Sequence, residues 1–432
     1  GPDVVLNPTI NANEQDEGYI SMNRFTGEYC VTWSDRQGND GFQMGCGARF
    51  FHADGTPFGL EQIINTTWNF SQFEPHCAAS VGGRVLTAWS DAGIDGSCGV
   101  VARLFDKTGV PLSGEVLVNT PDGKTQIDPS VACDLAGNFV VAFVDASGKT
   151  GEPRDILARR FDANLNPLGL QFLVNSDSTG LQREPDIAMD AAGDFVVVWQ
   201  DESGVDGSGF GVFGRRFDKN GVGQGPQFVI SVTTAGDQKD PSVAMDYVGN
   251  FVCTWEDNSS GNYDVKIRRF DRFGVPLSGD LTMNTILGGD QQYAKTAMSQ
   301  SGQRLFPIWI DHNADDDYGT LLELKILEAN PPLTVGVTST LSMELPGEGG
   351  MPYVLLAALS TSPAIPVGLD RVFRLAPDAL FQFFAAFPSS SLGSGYAGVL
   401  DAQGRASATF VTPNQPSLIN LPLYFAPAWK KA

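Results

Sequence analysis

Six copies of one pattern run through residues 1–330, and this repetition constrains the fold more than any other feature of the sequence. In each copy an apolar run ends in an aspartate, as in the stretch GDFVVVWQD, which ends at Asp201. Successive aspartates are 54 or 56 residues apart, and a period of about 50 residues is typical of the blades of a β-propeller. The six aspartates are Asp35, Asp91, Asp145, Asp201, Asp257 and Asp311.

Each repeat is predicted to form four strands. A short strand such as PSVAMD precedes the apolar run, a third strand ends in RRFD, and a fourth resembles QFLVN, with Gly, Pro and Asn turn signals between them. Both alternate faces of the run FVVVW are apolar. This predicts a strand that is covered on both sides, as in sheets that pack face to face around an axis.

The chain start supplies a strand that the sixth repeat lacks. The first five repeats are each followed by a fourth strand, whereas the sixth passes from LLELKILE directly into ANPPLT. The stretch DVVLN, residues 3–7, fits the missing strand, and its addition to the last blade removes two sheet edges. We therefore expect an all-β protein with a six-bladed β-propeller over residues 1–330, closed by the N-terminal strand.

Residues 331–432 lack the repeat and have a different composition. They contain no cysteine and no histidine, and short apolar strands alternate with Gly, Pro and Ser turns. This pattern predicts a C-terminal β-sandwich domain. The most apolar stretch, residues 351–369, is interrupted by Pro363, Pro366 and polar residues, so we expect no membrane insertion.

The net charge limits the possible partners. It is −22, and residues 1–330 carry all of it, because residues 331–432 contain five acidic and five basic side chains. An acidic surface repels nucleic acids and anionic membranes. The charge therefore excludes nucleic-acid binding and favours cations, basic proteins or neutral glycans as partners.

The repeat, with its elements DPSVAMD, GDFVVVW and RRFD, resembles tandem repeats of secreted and cell-surface bacterial proteins whose activity is unassigned. The resemblance covers residues 3–328 and implies an extracellular propeller, and it carries over no catalytic residue. The C-terminal stretch GVLDAQGRA is similar to a motif in C-terminal β domains of other secreted bacterial proteins. These resemblances imply a secreted or cell-surface location.

A second motif, Q-x-[DE]-P, precedes the first strand of four repeats. Its acidic residues would share one rim of the propeller and could bind Ca²⁺ or a cationic ligand at the channel mouth. In the alternative interpretation, the glutamines bond to neighbouring blades and the acidic residues cap exposed amides. Because the motif is repeated and a ligand site usually needs asymmetry, the structural interpretation is favoured. The four carboxylates are Glu74, Asp128, Glu184 and Asp240.

Two further repeated residues are expected to be structural. An aspartate at the start of a Gly-rich loop readily accepts hydrogen bonds from local amides, so the six strand-ending aspartates are predicted to shape turns. A basic residue recurs in the third strand, and we expect it to pair with acids that close the first strand. The arginines are Arg49, Arg103, Arg159, Arg215 and Arg268, and the acids are Asp134, Asp190 and Asp246.

The loop after Asp311 is the predicted calcium site, because Asp315 and Asp317 follow closely. The sequence does not contain the twelve-residue EF-hand pattern. The alternative is a solvated acidic loop. We predict no other cofactor.

One loop contains aromatic residues where most other repeats are polar. Trp68, Phe70 and Phe73 could stack on a sugar or a partner, or could be buried against the C-terminal domain. His76 follows in the same segment, beside Cys77, and a nucleophilic Cys/His pair is conceivable there. Adjacent residues of a strand point to opposite faces, however, which argues against cooperation between these two.

Six cysteines are present, and a disulfide between Cys46 and Cys98 is the favoured pairing, because both lie in or beside equivalent loops. The leading functional hypothesis is an extracellular binding or adhesion protein without catalysis, whose partner is a glycan or a cell-surface protein. One alternative is a self-associating structural subunit, and another is a glycan-acting hydrolase or lyase.

Overall fold

The computed structural model describes most of the repeat region and the strands of the C-terminal region. The chain divides into two units, Gly1–Ala329 and Asn330–Ala432. The described residues are 15–36, 44–67, 69–146, 154–204, 206–284, 289–300, 302, 304–312, 321–324 and 327–328, followed by eight strands between 338 and 428.

Antiparallel sheets with one strand order make up the described repeat region. Five of them have four strands that follow one another both in sequence and in space. The first sheet contains β1 (Gln15–Met22), β2 (Tyr29–Asp35), β3 (Gly45–Phe51) and β4 (Gln62–Ile63). The second contains β5 (Gln72–Ala79), β6 (Arg84–Asp91), β7 (Gly99–Asp106) and β8 (Val116–Leu117). The third contains β9 (Gln126–Cys133), β10 (Phe139–Asp145), β11 (Asp155–Phe161) and β12 (Phe172–Leu173). The fourth contains β13 (Gln182–Met189), β14 (Phe195–Asp201), β15 (Gly211–Phe217) and β16 (Phe228–Val229).

The fifth and sixth sheets continue the series. The fifth is β17 (Gln238–Met245), β18 (Phe251–Asp257), β19 (Asp264–Phe270) and β20 (Leu281–Thr282). The sixth contains β21 (Asp290–Met298), β22 (Arg304–His312), β23 (Leu321–Leu324) and β24 (Leu327–Glu328), and in it β22 pairs with both β23 and β24. A single 3₁₀ turn, Ile94–Gly96, is the only helical element among the described residues. No described helix is long and apolar enough to cross a membrane.

The described strands of the C-terminal unit form three small antiparallel sheets. Two of these sheets have three strands and one has two. The strands are β25 (Thr338–Glu344), β26 (Pro352–Ala358), β27 (Ala364–Pro366), β28 (Val372–Arg374), β29 (Gly393–Ser394), β30 (Ala397–Val399), β31 (Arg405–Val411) and β32 (Tyr424–Ala428). The β-sandwich expected for this region stays a prediction.

The second strands are the best buried, as their apolar pattern predicts. Both β14 and β18 are buried along their whole length. One apolar cluster joins Val144 of the third sheet with Val197 and Trp199 of the fourth, so the core lies between neighbouring sheets. The first strands pack on one another in succession from β1 to β21. The expected all-β class with propeller-type sheets is confirmed, while residues 3–7, the expected closing strand, lie outside the described residues.

The repeated glutamine and aspartate hold each sheet to its loop. Gln182 Nε2 donates to Asp201 Oδ2 at 3.2 Å, and the backbone N–H of Ser203 donates to Asp201 Oδ1 at 2.7 Å. The same turn contact recurs at Asp91 and Asp257. The structural role predicted for the strand-ending aspartates is therefore confirmed at these three positions.

The recurring arginines join neighbouring sheets through backbone carbonyls. Arg159 Nε donates to the carbonyl of Gly169 at 3.2 Å, and its Nη1 donates to the carbonyl of Val118, in the preceding sheet, at 2.8 Å. The expectation of ion pairs with the first-strand acids is wrong, because the guanidinium donates to two backbone carbonyls, one in its own sheet and one just after the fourth strand of the preceding sheet. The same two contacts recur at Arg103, Arg215 and Arg268.

All six cysteines are free thiols, so the expected disulfide between Cys46 and Cys98 is wrong. Cys46 lies inside β3, and its backbone N–H donates to Asn65 Oδ1. In the next repeat the equivalent bond, to Asn119 Oδ1, comes from Val100. Cys98 is thus two residues before the position that matches Cys46, and the two side chains do not occupy equivalent places.

Candidate functional site

The Q-x-[DE]-P motif forms a bulge at the start of the first strand in the second to fifth sheets. In the fourth sheet the pairing of β13 with β14 shifts between Arg183 and Asp186. The acidic residue of each motif has a positive φ, between 47° and 56°, which is uncommon outside glycine. Bulges redirect side chains. Their regular recurrence here brings the acidic residues to one place.

That place is a cavity of about 350 Å³, lined by residues from the first strand of all six sheets. The four carboxylates predicted from the sequence line its outer level, together with Tyr293. The inner level contains Tyr19, His76, Asp186 and Lys295. We call the outer carboxylates, Glu74, Asp128, Glu184 and Asp240, the acidic ring. The structure brings these predicted residues together, and ligand binding by them stays a prediction.

Three members of the acidic ring are fixed through their backbone by the preceding sheet. The acceptor is always the residue before the strand-ending aspartate. Ser34 Oγ accepts from the N–H of Glu74 at 3.0 Å, and Ser90 Oγ accepts from the N–H of Asp128 at 3.1 Å. Gln200 Oε1 accepts from the N–H of Asp240 at 3.1 Å. These contacts connect the sheets around the cavity.

Glu184 is the exception in the acidic ring. The matching residue of the preceding sheet is Val144, whose side chain cannot accept a hydrogen bond. Within the described part of the chain, no residue donates a hydrogen bond to the Glu184 carboxyl group. By contrast, Glu74 Oε2 accepts from Ser90 Oγ at 3.0 Å and from the N–H of Asp128 at 3.2 Å. Glu184 is therefore the ring carboxyl that no local hydrogen bond restrains.

The surroundings of Glu184 favour its protonated form. Its side chain reaches solvent at the cavity mouth, yet the protein encloses it enough that burial is the largest cause of a pKa raised to about 7. The negative charges of Asp128 and Asp240 raise this pKa further, and the positive charges of Lys295 and Arg183 oppose them. A carboxyl group with this pKa can hold a proton and release it near neutral pH.

Asp240 shares a proton with Glu256, a residue that the sequence analysis did not single out. Glu256 is buried, and burial followed by the charge of Asp240 raises its pKa to about 8. The two side chains are hydrogen-bonded, and Glu256 also accepts from the N–H of Tyr293. Near neutral pH Glu256 therefore donates its proton toward the Asp240 carboxylate. The sequence signal was present, because the other repeats have Ser, Val, Gln or Ile at this position.

The inner level of the cavity holds a hydrogen-bonded chain across three sheets. His76 Nδ1 accepts from the N–H of Val131 at 3.1 Å, so the ring proton of the neutral form is on Nε2, 3.4 Å from Ser130 Oγ. Ser130 Oγ in turn donates to Asp186 Oδ1 at 2.9 Å. Burial, followed by the charge of Lys295, lowers the pKa of His76. His76 thus donates to Ser130 and cannot serve as the base that activates this serine.

The cysteine next to His76 does not take part in this cavity. Cys77 Sγ lies 3.7 Å from the carbonyl oxygen of Cys30, and Cys77 is not among the residues that line the cavity. The structure therefore gives no support to a Cys/His nucleophile. Tyr19 and His76 pack ring to ring, with centroids 3.2 Å apart, and close the inner level on this side.

The aromatic loop lies beside the acidic ring. Trp68 is outside the described residues. Phe70 is 53% exposed and has a φ of 124°, whereas Phe73, in β5, is half-buried. The ring of Phe70 lies against Gly93, where any side chain would collide with it.

The predicted calcium site is largely outside the described residues. Asp311 ends the apolar part of β22, and Asp315 and Asp317 lie outside the described residues. Within the described ranges, no group of three or more His, Cys, Asp or Glu side chains is arranged to hold a metal ion. Calcium binding at the loop after Asp311 stays a prediction.

Comparisons with known proteins show the fold. No protein-family model and no curated protein sequence matches the chain. An α-L-arabinofuranosidase of Fusarium graminearum, solved with an iminosugar inhibitor, has a TM-score of 0.52 and 12% identity over 75% of this chain and 96% of its own. An α-L-arabinanase of Penicillium chrysogenum, complexed with arabinobiose, has a TM-score of 0.50 and 11% identity over 72% and 92%.

A protein of unknown function from Dyadobacter fermentans is similar to the same extent, with a TM-score of 0.51 and 10% identity over 73% and 94%. The leading hypothesis from the sequence, a non-catalytic binding or adhesion protein, is contradicted by these comparisons, because the neighbours with a named activity are glycan hydrolases. The chain therefore shares its fold with propeller-type glycoside hydrolases, and the alternative of a glycan-acting hydrolase agrees better with them.

Proposed function

We propose that the protein is a hydrolase that cleaves glycosidic bonds at the acidic ring. The observation that carries this proposal is Glu184, an unrestrained carboxyl group with a pKa of about 7 between two other carboxylates. Glycoside hydrolysis commonly uses two carboxyl groups, one protonated and one ionised, on either side of the bond that breaks. The shared fold with an arabinofuranosidase and an arabinanase supports the same reaction class.

In this proposal Glu184 is the general acid. The bond between the anomeric carbon and the glycosidic oxygen breaks, and the departing oxygen takes the proton of Glu184. Asp128 and Asp240 contribute by raising the pKa of Glu184, so that the proton is still present near neutral pH.

Asp240 is the ionised partner. Burial raises the pKa of Asp240, whereas the charge of Lys295 and the hydrogen bond from protonated Glu256 oppose this rise and favour the anionic form, and Gln200 fixes the backbone of Asp240. A fixed carboxylate stabilises the positive charge that develops on the sugar ring. A water molecule supplies the hydroxyl group that completes hydrolysis, and its proton returns to a carboxylate of the ring.

The finer architecture is part of the same proposal. A cavity lined by six first strands supports a six-bladed ring. The sequence pattern supports residues 3–7 as the closing strand and residues 331–432 as a β-sandwich. The repeat resemblance supports a secreted or cell-surface location, where polymeric glycans are accessible.

The test is hydrolysis of a panel of neutral aryl glycosides and polysaccharides that includes arabinan. We expect release of product from at least one panel member, and we expect Glu184→Gln to reduce kcat/KM by at least about 100-fold. Glu202→Gln is the matched control, because Glu202 is an exposed residue of the same sheet that does not line the cavity. Absence of turnover across the panel, or equal turnover by E184Q and the wild type, would contradict the proposal.

A further inference from the structure

Phe70 lies in the chain segment that leads into β5 and, from there, to the cavity. It is two residues before β5 begins, and the chain reaches Glu74 of the acidic ring only four residues later. An extended chain covers at most about 3.5 Å per residue, so the backbone of Phe70 is within about 14 Å of that of Glu74. The ring is 53% exposed. An exposed aromatic side chain is thus placed within a short distance of Glu74, one member of the acidic ring.

Glycine occupies the position of Phe70 in three of the other five repeats. The matching residues, two positions before the conserved glutamine, are Gly180, Gly236 and Gly289, with φ of 79°, 77° and 81°. Phe70 has a φ of 124°, which is an outlier for a bulky side chain. The aromatic residue therefore stands at a position where the repeat itself favours glycine.

A second glycine leaves room for the Phe70 ring. A side chain at Gly180 would collide with Ser203, the second residue after the strand-ending aspartate of its sheet. In the second sheet the residue at that place is Gly93, which contacts the Phe70 ring. In the fourth sheet glycine (Gly180) comes before the first strand and serine (Ser203) follows the second, whereas in the second sheet Phe70 comes before the first strand and glycine (Gly93) follows the second. Because Phe70 is still 53% exposed, burial does not explain an aromatic residue at this position.

The charge of the adjacent cavity limits what can bind there. Four carboxylates of the acidic ring face a single lysine, Lys295, among the residues that line it. Sugars that carry carboxylate groups would meet repulsion, whereas neutral sugars would not. The apolar faces of neutral sugar rings can cover an aromatic ring such as that of Phe70.

We propose that Phe70 is a stacking platform for a sugar unit of a neutral glycan chain, at a distance from the bond that breaks at Glu184. This inference rests on the proposed function and extends it. The substrate is a chain of several neutral units, because one unit lies at the acidic ring and another lies over Phe70.

The test measures binding without turnover. Affinity electrophoresis through gels that contain soluble neutral polysaccharides, arabinan among them, reports retardation of the wild type and of E184Q alike. We expect Phe70→Ala and Phe70→Gly to bind about tenfold more weakly than the wild type, which corresponds to the loss of one aromatic contact. Phe70→Gly should also raise Tm, because glycine suits the positive φ. Phe273→Ala is the matched control, since Phe273 is an exposed phenylalanine in the turn after a third strand.

The outcomes separate this inference from the proposed function. Retardation that is lost in both Phe70 variants and kept in F273A supports the platform, even where no panel member is hydrolysed. Unchanged retardation of the Phe70 variants, equal loss in F273A, or no retardation of the wild type by any neutral polysaccharide overturns it. A lower Tm in F70G would show that Phe70 serves packing and would also contradict the inference.

Discussion

At the scale of single residues, the sequence identified the acidic ring but not the differences among its members. Glu74, Asp128, Glu184 and Asp240 share a motif, so repetition suggested a structural role for all four. The distinction between them depends on a neighbouring sheet. Val144 leaves Glu184 without the backbone contact that Ser90 and Gln200 provide elsewhere. Such a contact joins residues about 40 positions apart, and no local pattern reveals it.

The inner level of the cavity was missed for a related reason. Tyr19, Asp186 and Lys295 occupy the same place in their strands as His76, yet they have no residue type in common. Only the packing of first strands shows that these side chains meet. His76 was noticed because histidine is rare in this chain, and the structure then gives it the role of a hydrogen-bond donor.

The pH dependence of activity should report the proton of Glu184. Because the general acid must be protonated, kcat/KM is expected to fall as the pH rises through the pKa of about 7. Asp128→Asn removes a negative charge that raises this pKa, so the fall should begin at lower pH in the variant. The measurement is kcat/KM between pH 4 and 9 for wild type and D128N. A fall at the same or a higher pH in D128N would contradict the assignment.

At the scale of elements, the strand pattern was predictable and the contacts between sheets were not. The run FVVVW predicted burial on both faces, and β14 is buried throughout. The bulge at the Q-x-[DE]-P motif was not predictable in this way, because a residue before proline normally has an extended backbone with a negative φ, whereas the acidic residues here have a positive φ. Ion pairs were expected for the arginines because acidic residues close the first strands. The actual partners are backbone carbonyls, which every residue has, so the sequence cannot identify them.

The arginine contacts should contribute measurably to stability. Arg159→Ala removes two hydrogen bonds from a charged donor and the contact of the guanidinium with Phe161. We expect the free energy of unfolding to fall by about 2 to 4 kcal/mol, since charged hydrogen bonds contribute about 1.5 to 3 kcal/mol each and are not additive. Urea unfolding measures this, with Lys219→Ala, at an exposed turn, as the control. A loss within about 0.5 kcal/mol, equal to that of the control, would show that the arginines do not hold the sheets together.

At the scale of the whole molecule, the residues that the sheets share and the residues proposed to act on substrate lie in different places. Features shared by the sheets, such as the Gln–Asp contacts and the arginines, hold the fold. Features that differ between sheets act on the acidic ring or on the segment leading to it: Val144 in place of a hydrogen-bond acceptor for Glu184, Glu256 bonded to Asp240, and Phe70 against Gly93. A repeated fold can carry one site because single copies depart from the shared pattern at the place where all of them meet.

The net charge of −22 should act on substrate choice over a longer distance than the cavity itself. At 10 mM salt the screening length is about 30 Å, and it falls to about 8 Å near 150 mM. A short oligogalacturonide should therefore compete with neutral substrate more weakly at 10 mM NaCl than at 300 mM, by about threefold or more. A neutral oligosaccharide of equal length should compete equally well at both concentrations. Steric exclusion does not depend on salt. If the oligogalacturonide competes equally weakly at both NaCl concentrations, its shape and not its charge causes the exclusion, and the electrostatic account is wrong.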